Sequence, residues 1–158
     1  MNKMNTGMAE RYCALSIGIL FLFIGIAGFV PAFAPVPGAT ASSVPADLAP
    51  DAYAAGFGYL FGLFPTNLMH NLVHCAVGLL GIAAYTSPSS TRLFNQSFAI
   101  AYALIAIMGL LPFTKTTFGL MPIFGNNVWF NALTAAVTAY YGFILPAKTT
   151  EMSVSRNP

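Results

Sequence analysis

This chain of 158 residues is poor in charge, since Asp, Glu, Lys and Arg together make up only 6% of it. Soluble domains have about a quarter of their residues charged, so the composition is typical of a membrane protein. The net charge of +2 is spread over the chain, without a run of Lys or Arg that could follow a phosphate backbone. Nucleic acid is therefore excluded as a partner.

Groups for catalysis are scarce as well. The long apolar runs contain no Asp or Glu, so no carboxylate pair could share acid and base roles, and no Ser, His and Asp combination is available. The two cysteines, Cys13 and Cys75, lie in different apolar runs near opposite faces of the bilayer, which argues against a disulfide. We expect a protein that is not an enzyme.

Apolar residues are abundant, at 57% of the chain, and they gather in four runs at about 12–30, 67–85, 93–111 and 128–145. A helix of roughly 20 apolar residues crosses a hydrocarbon core of about 30 Å. The sequence therefore predicts an all-α fold, a bundle of four transmembrane helices, with residues 1–158 forming one membrane domain in the lipid bilayer.

The orientation follows from the loop charges. One side of the predicted bundle collects most of the basic residues, namely Lys3, Arg11, Arg92, Lys148 and Arg156. The other side holds only Lys115. The excess of basic residues on cytoplasmic loops places both termini in the cytoplasm. Lys3 and Arg11 before an apolar run also resemble a secretory signal, but the run is longer than the usual 7–15 residue core.

The first and third runs are copies of one pattern. "SIGILFLFIGIAGFVP" at 16–31 aligns without a gap with "SFAIAYALIAIMGLLP" at 97–112, and Asn67 and Asn71 align with Asn127 and Asn131. Repeat 1 covers about 11–85 with an external loop at 32–56, repeat 2 covers about 92–145, and 146–158 is a flexible cytoplasmic tail. Matching helices cross in the same direction, which predicts parallel hairpins about a pseudo-twofold axis along the membrane normal.

Polar residues form one stripe on the second helix and one on the fourth, at spacings of three and four residues. Unpaired polar groups are costly in lipid, so the stripes should face protein or a water-filled cavity near the external end. Hydrogen bonding between helices is the simplest role, and a binding site is the alternative. The candidate cluster comprises Asn67, His70, Asn71, His74, Asn127, Asn131 and Thr134.

The two histidines leave several roles open. His70 and His74 are four residues apart and could place two nitrogens on one metal ion, but a closed zinc site needs two more ligands that the apolar runs lack. No metal site is predicted. Either histidine could instead be an axial ligand of haem or chlorophyll, although Phe130 and Thr134 occupy the aligned positions of the fourth helix.

A proton or small-solute pathway is the third role, because histidine titrates near physiological pH. The remainder of the second helix, "VGLLGIAAY" at 77–85, is almost wholly apolar, so the polar stripe resembles a one-sided vestibule. We therefore predict no cofactor and a non-catalytic binding or scaffolding role in the membrane. Other membrane proteins or a second copy of the chain would be the partners.

The chain also resembles a known family in "YLFGLFPTNLMHNLVHCAVGLLGIAA" at 59–84, in the run ending "GLLP", and in "GNNVW" at 125–129. The resemblance, over about residues 11–143, is to small bacterial four-helix membrane proteins that form a domain-of-unknown-function family. It implies a fold and a bacterial inner-membrane location but no activity. Members tend to have a histidine soon after the tryptophan of the last helix, where this chain has Asn131.

The topology is testable by labelling single cysteines from each side of the membrane. A cysteine at position 45 should react with an impermeant reagent from outside, and one at the C-terminus only from the cytoplasm. Labelling of position 45 from the cytoplasmic side, or of the C-terminus from outside, would contradict the predicted orientation.

Overall fold

The computed structural model describes residues 3–35 and 53–146. Most of the predicted loop 32–56 and nearly all of the predicted tail 146–158 lie outside these residues. The described part is mostly helical, and each predicted apolar run lies on a helix. The helices are α1 (Lys3–Ala27), α2 (Leu68–Ala84), α3 (Pro88–Leu110) and α4 (Asn126–Ala139), with α4 continued by a π-helical turn at Tyr140–Ile144.

Two of the four helices are long and apolar enough to cross a membrane. These are the Gly7–Ala27 part of α1 and the whole of α3, Pro88–Leu110, while α2 is apolar but shorter. Only 39% and 33% of the two apolar windows is buried inside the protein. Most of their apolar surface therefore faces outward, unlike that of a core helix in a soluble protein.

A small β-hairpin precedes α2, an element that the predicted all-α fold did not include. Strand β1 (Gly58–Leu60) pairs antiparallel with β2 (Phe64–Thr66). Phe61 and Gly62 turn the chain between them with φ of 52° and 71°. The left-handed backbone of a turn with glycine suits a three-residue hairpin loop, and the strand pairing satisfies backbone groups that have no helical partner.

Glycines hold α1 and α2 close together. A Cβ atom added at Gly18 would lie 2.6 Å from the Ile82 nitrogen, and one added at Gly78 would collide with the backbone of Leu22. Small residues let helix backbones approach each other closely, which is how helices pack where lipid removes the hydrophobic drive. The α1 and α2 pair therefore depends on the absence of side chains at these positions.

The centre of the core is Phe21, whose side chain is fully buried. Its ring lies edge-on to His74 of α2 and Tyr102 of α3, each at 5.0 Å between centroids. It also lies 5.5 Å from the ring of Phe130 on α4. All four helices thus meet around one aromatic ring of α1, and edge-to-face pairs of this kind add about 0.5–1.5 kcal/mol beyond buried area.

The turn between α2 and α3 is tied to the start of α1 by charged groups. Arg11 donates from Nε to the Tyr85 carbonyl at 2.7 Å, and its guanidinium carbon lies 4.6 Å from the centre of the Tyr85 ring. Glu10, only 5% exposed, pairs with Arg92 at 3.5 Å. Glu10, Arg11 and Arg92 are therefore paired with each other or with backbone.

The glycine contacts can be tested by comparing two alanine variants in detergent. Gly78→Ala should lower the thermal unfolding temperature, because overpacking against backbone costs about 1–3 kcal/mol. Gly7→Ala is the control, since nothing lies within 4 Å of a Cβ atom added at Gly7. It should be neutral or slightly stabilising through helix propensity. Equal unfolding temperatures for the two variants would contradict the close approach of α1 and α2.

Candidate functional site

The seven predicted site residues are all buried, at 0–7% exposure, and most lie in the first two turns of α2 and α4. On α2 the buried face continues from the polar residues through Gly78 and Gly81, and on α4 it continues to Thr138. The predicted stripes are therefore the inward faces of both helices. Their exposures are Asn67 0%, His70 4%, Asn71 2%, His74 7%, Asn127 3%, Asn131 2% and Thr134 6%.

Asn67 both starts α2 and ties it to the second half of the chain. Its Oδ1 accepts a hydrogen bond from the His70 backbone N–H at 2.9 Å, which satisfies one of the free N–H groups at a helix start. Its Nδ2 donates to the Tyr53 carbonyl at 3.2 Å and to the Leu120 carbonyl at 2.8 Å. One buried amide therefore bonds three separate segments.

Asn127 makes the reciprocal connection from α4. Its Nδ2 donates to the carbonyl of Pro65, just before α2, at 2.8 Å and to the carbonyl of Pro122 at 3.1 Å. The neighbouring Asn126 donates to the Leu63 carbonyl at 3.1 Å. We call Asn67 and Asn127, with the carbonyls of Leu120, Pro65 and Pro122, the asparagine clasp.

Asn71 occupies the space left by a glycine. Its Oδ1 accepts a hydrogen bond from the Thr66 hydroxyl at 2.5 Å, which connects α2 to strand β2. A Cβ atom at Gly28, just after the end of α1, would collide with the Asn71 amide. The polar side chain is thus enclosed between α1 and the hairpin, and the glycine is what makes room for it.

The two histidine rings face each other. Nε2 of His70 lies 3.0 Å from Nε2 of His74, and the ring centroids are 4.2 Å apart at an interplanar angle of 60°. One Nε2 must carry a proton and the other must accept it for this contact to be a hydrogen bond. The other nitrogen of His70, Nδ1, is buried and has no hydrogen-bond partner among the described residues.

The sequence predicted hydrogen bonds between the polar stripes of α2 and α4, and the structure shows other hydrogen-bond partners. Within residues 3–35 and 53–146, no hydrogen bond joins a histidine ring to an asparagine side chain of the cluster, and the clasp amides donate to backbone carbonyls instead. Thr134 bonds within its own helix, to the carbonyls of Phe130 at 2.9 Å and Asn131 at 3.1 Å. The stripes of α2 and α4 are joined through the segments that precede the two helices.

Those preceding segments were missed as part of the site, although the sequence carried a signal. "FGLFP" and "FGLMP" are aligned copies, and both begin with a Phe-Gly pair in the left-handed region. The φ angles are 52° and 71° at Phe61 and Gly62, and 58° and 85° at Phe118 and Gly119. In each copy, backbone carbonyls that follow this turn accept the hydrogen bonds of the asparagine clasp.

A small cavity lies beside His74, with a volume of about 50 Å³. It can hold a water molecule or an ion, and it is well below the roughly 300 Å³ of the smallest ordinary ligand pockets. His74 and Asn127 supply its polar lining. Across the residues that the structure describes, no three His, Cys, Asp or Glu side chains gather at one point.

Substitutions of Asn67 separate its two roles. Asn67→Ser retains a helix-capping oxygen but loses two donated hydrogen bonds, which should cost roughly 1–3 kcal/mol of unfolding free energy. Asn67→Ala also loses the cap, which adds about 0.5–2 kcal/mol. Asn126→Ala is the control, because this exposed residue makes one exposed bond and should change stability by no more than about 0.5 kcal/mol. Equal stability of all three variants in detergent would show that the Asn67 bonds contribute nothing.

Comparison with known proteins confirms the resemblance seen in the sequence. A family model described as a domain of unknown function, DUF4383, matches residues 11–144. No curated protein and no solved structure matches the chain. The match includes most of the four helices and every residue of the candidate cluster, and the chain therefore belongs to the DUF4383 family.

Proposed function

We propose that this chain is a multi-pass integral membrane protein with four transmembrane helices, which acts as a non-catalytic binding or scaffolding component. In this proposal the protein lies in a bacterial inner membrane, with both termini on the cytoplasmic side. The observation that carries it is the asparagine clasp, in which Asn67 and Asn127 each donate to backbone of the opposite half. In this proposal the polar side chains at the starts of α2 and α4 join the helical hairpin α1–α2 to the helical hairpin α3–α4.

The outward surface supports a bilayer around all four helices. Large apolar side chains project from α2 and α4 as well as from the two longer helices. Water would order around such a surface at a large cost, whereas lipid tails accept it. Examples are Ile19 at 54%, Leu80 at 63%, Leu110 at 67% and Leu133 at 66% exposure.

Three observations support the proposed parallel repeat. Phe21 and Tyr102, which the repeat aligns, contact each other at 5.0 Å, as residues beside a twofold axis would. The aligned turns at Phe61 and Phe118 have similar φ angles. The clasp bonds run in both directions between the halves, from Asn67 to the second and from Asn127 to the first.

A scaffolding role accounts for the cluster better than a transport pathway or a tetrapyrrole site. Each clasp amide already bonds backbone, and the cavity beside His74 holds about 50 Å³. Beyond His74 the inward face of α2 continues only with Gly78, Gly81 and Ala84. A polar path for solutes or protons would need polar groups or water along the whole helix. The proposed cluster closes one end of the bundle.

Two measurements on protein from native membranes test this proposal. Blue native electrophoresis should show the chain in a complex larger than its own 16.7 kDa, with a partner protein or a second copy. The purified protein should be colourless and should give no solute flux in liposomes. Migration as a lone chain would contradict scaffolding, a strong visible band would favour haem or chlorophyll ligation, and specific flux would favour transport.

A further inference from the structure

We propose that the groove between α3 and α4 binds one acyl chain of an anionic phospholipid, with Lys115 near its mouth to pair with the lipid phosphate. The inference rests on the bilayer location proposed above, but not on the scaffolding role. The groove has a volume of about 420 Å³ and is lined by apolar side chains. Alanines supply most of this lining, three from α3 and four from α4.

The groove exists because the second half of the chain has smaller side chains than the first. The sequence repeat aligns Ala103 of the groove with Leu22, and Ala132 with Leu72. Gly18, which brings α1 against the backbone of α2, is aligned with an alanine of α3. The second half therefore lacks both the leucines that would fill this space and a glycine that would close it.

The groove is open at one end and closed at the other. Trp129 and Leu110 lie at the open end, with exposures of 73% and 67%. At the other end Nε2 of Gln96 donates to the Gly142 carbonyl at 3.0 Å, and a Cβ atom added at Gly142 would lie 3.1 Å from the Gln96 side chain. The two helices therefore touch just beyond Ala139, the last lining residue of α4.

The depth of the groove matches one leaflet of a bilayer. Its lining on α4 runs from Val128 to Ala139, which is about 16 Å at 1.5 Å per residue. Half of a hydrocarbon core of about 30 Å is about 15 Å. Trp129 at the open end suits the level of the headgroups, where tryptophan is enriched. An acyl chain that enters there ends where the groove ends, whereas a transmembrane helix from a second copy would continue through both leaflets.

Lys115 lies close to the mouth of the groove. Its carbonyl accepts a hydrogen bond from the Ile123 N–H at 2.9 Å. A Cβ atom added at Gly109, near the end of α3, would collide with the Ile123 carbonyl and would lie 2.9 Å from the side chain of Val128. The segment that carries Lys115 is therefore packed over the end of α3, beside a residue that lines the groove.

Charge favours an anionic headgroup. The only carboxylate that the structure describes, Glu10, pairs with an arginine at the opposite end of the bundle. Lys115 thus has no carboxylate partner among the described residues. A lysine side chain can lie along apolar surface and still extend its ammonium group to the headgroup level, where it attracts anionic lipid.

Trp129 is the only tryptophan of the chain, so its fluorescence reports what occupies the groove. The full chain is reconstituted in phosphatidylcholine vesicles that contain a varied fraction of phospholipid with brominated acyl chains, which quench tryptophan on contact. Brominated phosphatidylglycerol should quench at about a fivefold lower fraction than brominated phosphatidylcholine, the factor that corresponds to about 1 kcal/mol for one lysine near anionic lipid. Lys115→Gln should remove this preference.

Filling the groove is the second arm of the experiment. The double variant Ala103→Leu, Ala132→Leu introduces the side chains of the first half, and it should reduce quenching and lose the preference for phosphatidylglycerol. Ala101→Leu is the control, because Ala101 is an exposed residue of α3 outside the groove, and it should behave as the parent does. Thermal unfolding checks that the variants fold. If the double variant does not fold, the Lys115→Gln result alone decides.

Three outcomes would overturn the proposal. Equal quenching by the two brominated lipids in the parent would show no anionic site, and unchanged quenching in a folded double variant would show that the groove is empty of lipid. Quenching that falls as the ratio of protein to lipid rises would assign the groove to a second copy of the chain. Failure of the bilayer location looks different, because neither lipid would then quench Trp129 in any of the proteins.

Discussion

Every buried backbone carbonyl needs a hydrogen-bond donor, and the asparagine clasp supplies donors to carbonyls that have no helical partner. The segments before α2 and α4 turn sharply at their Phe-Gly pairs and then reach Pro65 and Pro122, so their carbonyls point into the protein without helical partners. An unpaired buried carbonyl costs about 1–3 kcal/mol. Asn67 and Asn127 supply the donors, and the donors come from opposite halves of the chain.

The rest of the architecture follows from holding these segments in place. Once Asn67 fixes the start of α2, the histidines and Asn71 fall on the inward face, and the glycines further along the helix meet α1. Gly28 then gives Asn71 its space, and Phe21 fills the centre between all four helices. Small residues and a cluster of buried aromatic rings around Phe21 let the four helices pack with few charged contacts among the described residues.

Much of this could be predicted from the sequence. The lengths of the apolar runs located all four helices, and the spacing of Asn67, His70 and Asn71 identified the buried face of α2. Start points were less accurate, since α1 begins at Lys3 through polar residues that an apolar pattern does not mark. Three-residue strands are too short to show a period, so the β-hairpin before α2 was missed.

The spacing of residues along the sequence could not predict the hydrogen-bond partners of the polar side chains. A spacing of four residues places two histidines on one face, but their rotamers decide whether the rings meet at 3.0 Å or point apart. Asn67 and Asn127 donate hydrogen bonds to backbone carbonyls. Because every residue has a backbone carbonyl, the sequence does not indicate which residue will be the acceptor. The aligned Phe-Gly pairs were visible in the sequence as a repeat. Their left-handed backbone conformation was not predicted and is seen only in the φ angles of the structure.

The central claim is that Asn67 and Asn127 act together to join the two halves, and a double-mutant cycle measures this most directly. Unfolding free energies in detergent would be compared for Asn67→Ala, Asn127→Ala and the double variant. Because each bond holds a segment that the other one needs, the double variant should lose less than the sum of the single losses, with a coupling of about 0.5–3 kcal/mol. Losses that add to within about 0.3–0.5 kcal/mol would contradict a joint role.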